Sequence, residues 1–94
     1  MIITLEEARA TLRVDGTDND PIIEPLIQAI PVYLEQATGK RWDEETDDNE
    51  LAQVTARFIL QLWFDPQGPD SARLKRTINT LLVALTTARK RNDG

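Results

Sequence analysis

Pro21-Ile22-Ile23-Glu24-Pro25-Leu26-Ile27-Gln28-Ala29-Ile30-Pro31-Val32-Tyr33-Leu34-Glu35-Gln36-Ala37 is the stretch on which the fold turns. Ile22, Ile23, Leu26, Ile27, Ile30, Tyr33, Leu34 and Ala37 form an apolar stripe with the three-to-four-residue period of a helix face. Asp18 or Asp20 is placed to cap this helix, Pro21 suits its early turn, and Gly39 is the expected stop. Pro25 stands near the limit of the tolerated first turn. Pro31 lies inside, where it removes a hydrogen bond and crowds the preceding turn, so the pattern predicts a kink around residues 27–31.

On the N-terminal side, Thr4-Leu5-Glu6-Glu7 fits a capping box, in which hydroxyl and carboxylate satisfy each other's backbone amides. Leu5, Ala8 and Leu12 continue it as a helix of about two turns, ended by the turn formers from Asp15 to Asp20. Met1-Ile2-Ile3 is too short to decide as a strand, and no other stretch alternates with the period of two.

On the C-terminal side, Asp43-Glu44-Glu45-Thr46-Asp47-Asp48-Asn49-Glu50 has nothing apolar to bury and reads as a loop entering a third helix, whose start its acids favour. That helix takes its face from Leu51, Val54, Phe58 and Leu62, widened by Ile59 and Trp63, with Thr55 as the one polar member. Asp65-Pro66-Gln67-Gly68-Pro69 stops it. Asp70 or Ser71 then caps a last helix with the stripe Leu74, Ile78, Leu81, Leu82 and Leu85, and Val83 falls off that face. The expected fold is all-α: a small bundle of about four helices with a kinked second helix, one domain over residues 1–94, ending in a disordered tail at 91–94.

Composition narrows the function classes. The chain has 94 residues, net charge −5, no histidine and no cysteine. Disulfides, thiolate nucleophiles and the usual Cys/His zinc sites are therefore excluded, along with the commonest general base near neutral pH. No apolar run has membrane-spanning length, and the opening residues lack a secretory pattern, so a soluble intracellular protein is expected. Residues 1–70 hold 15 acidic and 5 basic side chains, whereas residues 71–94 hold 1 and 6. An acidic body opposes ordinary duplex binding, while a two-signed chain suits head-to-tail self-association; a solvated acidic surface with a loose basic tail is the plainer alternative.

The candidate sites are surfaces. Asp15, Asp18 and Asp20 lack the alternating spacing and distal glutamate of a calcium loop, and read as turn and cap. The glutamates 6, 7, 24 and 35 have no histidine, cysteine or phosphate loop beside them, so no catalytic, cofactor or metal site is proposed. The acidic run, with Asp43, Glu44, Glu45, Asp47 and Asp48, either faces a lumen, pairs with a neighbour's basic helix, or is solvated. Trp63 reads as core, whereas Trp42, flanked by charges, is either core or an anchor for another subunit. Arg73, Lys75, Arg76, Arg89, Lys90 and Arg91 are the charged candidates for assembly contacts, with a solvated face as the alternative.

Ile3-Thr4-Leu5-Glu6-Glu7-Ala8, then Leu12-Arg13-Val14-Asp15-Gly16, then a capped helix ending in Ala37-Thr38-Gly39-Lys40-Arg41, resembles the phage head-tail connector, or DNA-packaging adaptor, family. Leu62-Trp63-Phe64-Asp65 and Ile78-Asn79-Thr80-Leu81-Leu82 extend the likeness. Pro25, Pro31 and the basic Arg73-Leu74-Lys75-Arg76 depart from it. The resemblance implies a non-enzymatic virion protein without cofactor. Its partners would be itself, in a ring of about a dozen copies, the portal protein, and the next neck or tail-completion protein. DNA would pass through the bore without sequence-specific binding, and the location would be the virion neck, reached from the host cytoplasm during assembly. Two rival readings come from other classes. A small acidic inhibitor imitating DNA fits the acidic run but not the basic last helix, and a helical DNA-binding regulator fits that helix but not the acidic body.

Overall fold

A computed structural model describes residues 2–42 and 49–92, with side chains placed for 2–42 and 50–87. Four helices account for most of it: α1 (Leu5–Leu12), α2 (Asp20–Thr38), α3 (Asn49–Phe64) and α4 (Ser71–Asn92). Where a loose tail is expected from residue 91, α4 continues to Asn92. No strand occurs among the described residues; Ile2 and Ile3 are irregular in backbone and buried as side chains.

The capping box at α1 forms as the sequence predicts. The Glu7 amide donates to the Thr4 hydroxyl at 3.1 Å, and the Thr4 amide donates to the Glu7 carboxylate at 2.9 Å. That amide bond, more than any other influence, holds the Glu7 carboxyl below its ordinary value. Arg13 ends the helix in the left-handed region, at φ 59°.

At the start of α2 the structure corrects the expected cap. Asn19 occupies the cap position and makes no side-chain capping bond, while Asp20 lies inside the first turn and turns to another partner, Arg9. Pro25 and Pro31 have no amide to donate, yet α2 is a single unbroken helix through both, because Ile23, Ile27, Ile30 and Leu34 bury one continuous face. Gly39 closes the helix at φ 81° with its amide donating to the Glu35 carbonyl at 2.7 Å. A Cβ at Gly39 would meet no neighbour, so the backbone angle alone demands glycine. Gly39→Ala is therefore expected to destabilise the fold by about 1 kcal/mol. Thermal unfolding would show this as a fall of about 4–8 °C.

Helices α2 and α3 each pack against the other three, with α4 lying chiefly along α3. The buried side of α3 is Ala52, Thr55, Ala56, Ile59 and Leu60. This rotates the expected face, since Val54 is 39% exposed and Leu51, Phe58 and Leu62 are only partly covered. Small alanines at 52 and 56 let the neighbouring helices come close, which a pattern weighted by large residues does not register. Thr55 is fully buried and donates its hydroxyl to the Leu51 carbonyl at 2.8 Å, so no polar group is stranded. On α4, Leu74, Ile78 and Leu85 are buried as predicted and Val83 stays out, at 66% exposure. No helix among the described residues is long and apolar enough to cross a membrane.

Candidate assembly interface

Trp42 belongs to the core. Its ring has no exposed surface, and its indole N–H donates to the Thr38 hydroxyl at 2.7 Å. That hydroxyl in turn donates to the Leu34 carbonyl, also at 2.7 Å. The chain leaving α2 is thus folded back and fastened to the helix's last turns. The Lys40 ammonium sits 5.2 Å from the ring centroid, where a cation is attracted to the π face. A side chain with no free surface in its own chain has none to give a neighbour, so Trp42 is withdrawn as an interface anchor. The spacing of four residues between Thr38 and Trp42 was the available signal, hidden by the glycine between them.

The remaining predicted contacts divide by what the structure describes. Asp43, Glu44, Glu45, Asp47 and Asp48 lie outside the described residues. Arg73, Lys75 and Arg76 are exposed on the first turns of α4, and Arg73 reaches Asp70 at 3.3 Å. Such an exposed pair contributes little to stability and leaves the guanidinium available for exchange. Arg89, Lys90 and Arg91 are on the last turns of α4, where only the backbone is described.

A surface that the sequence pattern concealed lies on α2. Ile22 and Tyr33, counted in the core stripe, are 57% and 37% exposed, and Val32 is 56% exposed. Together with exposed Pro25 and Ala29, Ile22 and Val32 form a second stripe on the side of α2 turned away from Ile23, Ile27, Ile30 and Leu34. The signal was an excess: α2 carries more large apolar residues than one buried face can hold. Tyr33 meets Trp63 edge-on at 5.5 Å between centroids, tying this side of α2 to the end of α3.

Beside the α2 stripe, the α1–α2 turn is locked by a two-pronged ion pair. Arg9 Nε and Nη2 donate to the two Asp20 oxygens at 2.9 and 2.6 Å, with both side chains partly buried. The hydrogen bonds from Arg9 hold the Asp20 carboxyl below its ordinary value against a smaller opposing effect of burial; reciprocally, Arg9 is raised. A depressed carboxyl contributes stability that is complete above its unfolded-state pKa and disappears as pH falls through its folded-state pKa. Asp20→Asn should therefore lower stability at neutral pH and show a shallower decline below about pH 4 than the parent, read from urea midpoints across pH. Parallel curves for parent and variant would remove Asp20 from the acid response.

The largely apolar stripe exposed on α2 is a candidate contact surface. A family model for phage gp6-like head-tail connector proteins matches residues 2–93, and the chain belongs to that family. No curated protein and no solved structure matches it.

Proposed function

We propose that copies of this protein associate side by side into a ring of about a dozen subunits that seats on the portal and joins the DNA-filled head to the tail. The observation that carries this is the connector-family match over residues 2–93, and the uncovered apolar stripe on α2 agrees with it. The protein's work is mechanical and interfacial. It adds a layer below the portal, holds the packaged genome against leakage, and offers a surface to the next neck or tail-completion protein. DNA passes through the bore without sequence-specific contacts, in keeping with an acidic body that repels phosphate. Such a protein acts in the virion neck after assembly in the host cytoplasm and carries no catalytic role.

The test is genetic. Host cells infected with phage lacking this protein should yield heads and tails that fail to join, and complete particles should return when it is supplied in trans. Complete tailed particles without it would reject the proposal.

A further inference from the structure

The outward faces of α2 and α4 carry opposite charge. Helix α2 has only acidic charged residues, Asp20, Glu24 and Glu35, and Asp20 is taken by Arg9. Exposed Glu24 and Glu35 run along one flank of the exposed stripe Ile22, Pro25, Ala29 and Val32. Helix α4 has no acidic residue, and its outward side presents Ala72, Arg76, Asn79, Val83 and Thr87, all exposed, beside exposed Lys75. Both stripes repeat every three or four residues, the spacing with which helices lie along one another. The α4 stripe is mostly small or short side chains, with Val83 as its one large apolar member, so a second helix can approach it closely.

We infer that the outward face of α2 in one copy packs on the outward face of α4 in the next. This rests on the ring proposed above and names the surfaces that build it. Charge decides the pairing: α2 against α2 would set Glu24 and Glu35 against themselves, and α4 against α4 would do the same with Lys75 and Arg76. Of these three pairings, α2 against α4 is the one that brings opposite signs together. Because the two faces are different surfaces, the contact is head-to-tail. Each copy keeps one free α2 and one free α4 until a ring closes.

The test is a charge exchange, read by light scattering of the full chain with and without the portal of the same phage. Glu24→Lys with Glu35→Lys places cations on both faces, and Lys75→Glu with Arg76→Glu places carboxylates on both, while Arg73 remains on α4. All four positions are exposed, so circular dichroism should show every variant folded. Each double variant alone is expected to lose assembly and remain at the 10.6 kDa monomer mass. An equimolar mixture of the two should recover the parental assembly, as should the quadruple variant, which has the parental net charge. Assembly of both double variants like the parent would overturn the assignment of faces and leave the ring standing. Loss in only one of them would overturn it too, by showing that the two faces do not meet. A parent that forms no assembly even on the portal would remove the ring and this contact together.

Discussion

Trp42→Ala is expected to cost about 3–5 kcal/mol, the range for emptying a fully buried aromatic site. A single domain has a total stability of about 5–15 kcal/mol, so the variant should be largely unfolded at modest urea concentration. Two losses combine. The ring leaves a cavity beneath the segment that follows α2, and the Thr38 hydroxyl loses the donor that holds that segment to the helix. Trp42→Phe separates them, because it keeps most of the apolar volume and removes only the N–H. Its expected cost is about 1–2 kcal/mol, the scale of one buried hydrogen bond with its packing adjustment. If Trp42→Ala unfolded within about 0.5 kcal/mol of the parent, the effect usual for a surface residue, the buried placement of this ring would be contradicted.

The second large effect is on α3, where two neighbouring apolar residues should behave oppositely. Leu60→Ala removes a fully buried side chain from α3, which packs against the other three helices as α2 does, at an expected cost of about 3–5 kcal/mol. Val54→Ala, on the same helix but 39% exposed, should change stability by no more than about 0.5 kcal/mol. Urea unfolding of the two variants measures how α3 is rotated about its own axis. Similar losses in both would show that the face read from Leu51, Val54, Phe58 and Leu62 is the buried one after all.

The helices themselves were legible because short-range chemistry sets them. Thr4 and Glu7 cap α1, Gly39 stops α2, Asp65 to Pro69 break the chain after α3, and each signal acts within a few residues. The faces were less legible, since burial is decided by which helices are neighbours. Ala52 and Ala56 are buried on the side of α3 that meets its neighbours, whereas Ile22 and Val32 are exposed although α2 also contacts all three other helices. Long-range pairs escaped for the same reason: Arg9 and Asp20 are ordinary surface residues until the α1–α2 turn brings them together. Of the candidate interface, Arg73, Lys75 and Arg76 are exposed at the start of α4. Trp42 was misplaced among the interface candidates because its charged flanks, Arg41 and Asp43, suggested a surface, whereas its hydrogen bond to Thr38 draws it inward. The apolar side of α2 is hard to read because Ile22 and Tyr33 fit the spacing of the core stripe and yet are exposed.

The central claim is that this connector-family chain acts as a ring on the portal. The most direct measurement is light scattering of the purified 10.6 kDa protein across a concentration series, alone and then with the portal of the same phage. The account predicts a complex holding about a dozen copies per portal, whether or not the isolated protein assembles. A protein that stays monomeric at every concentration and adds no mass to the portal would contradict it.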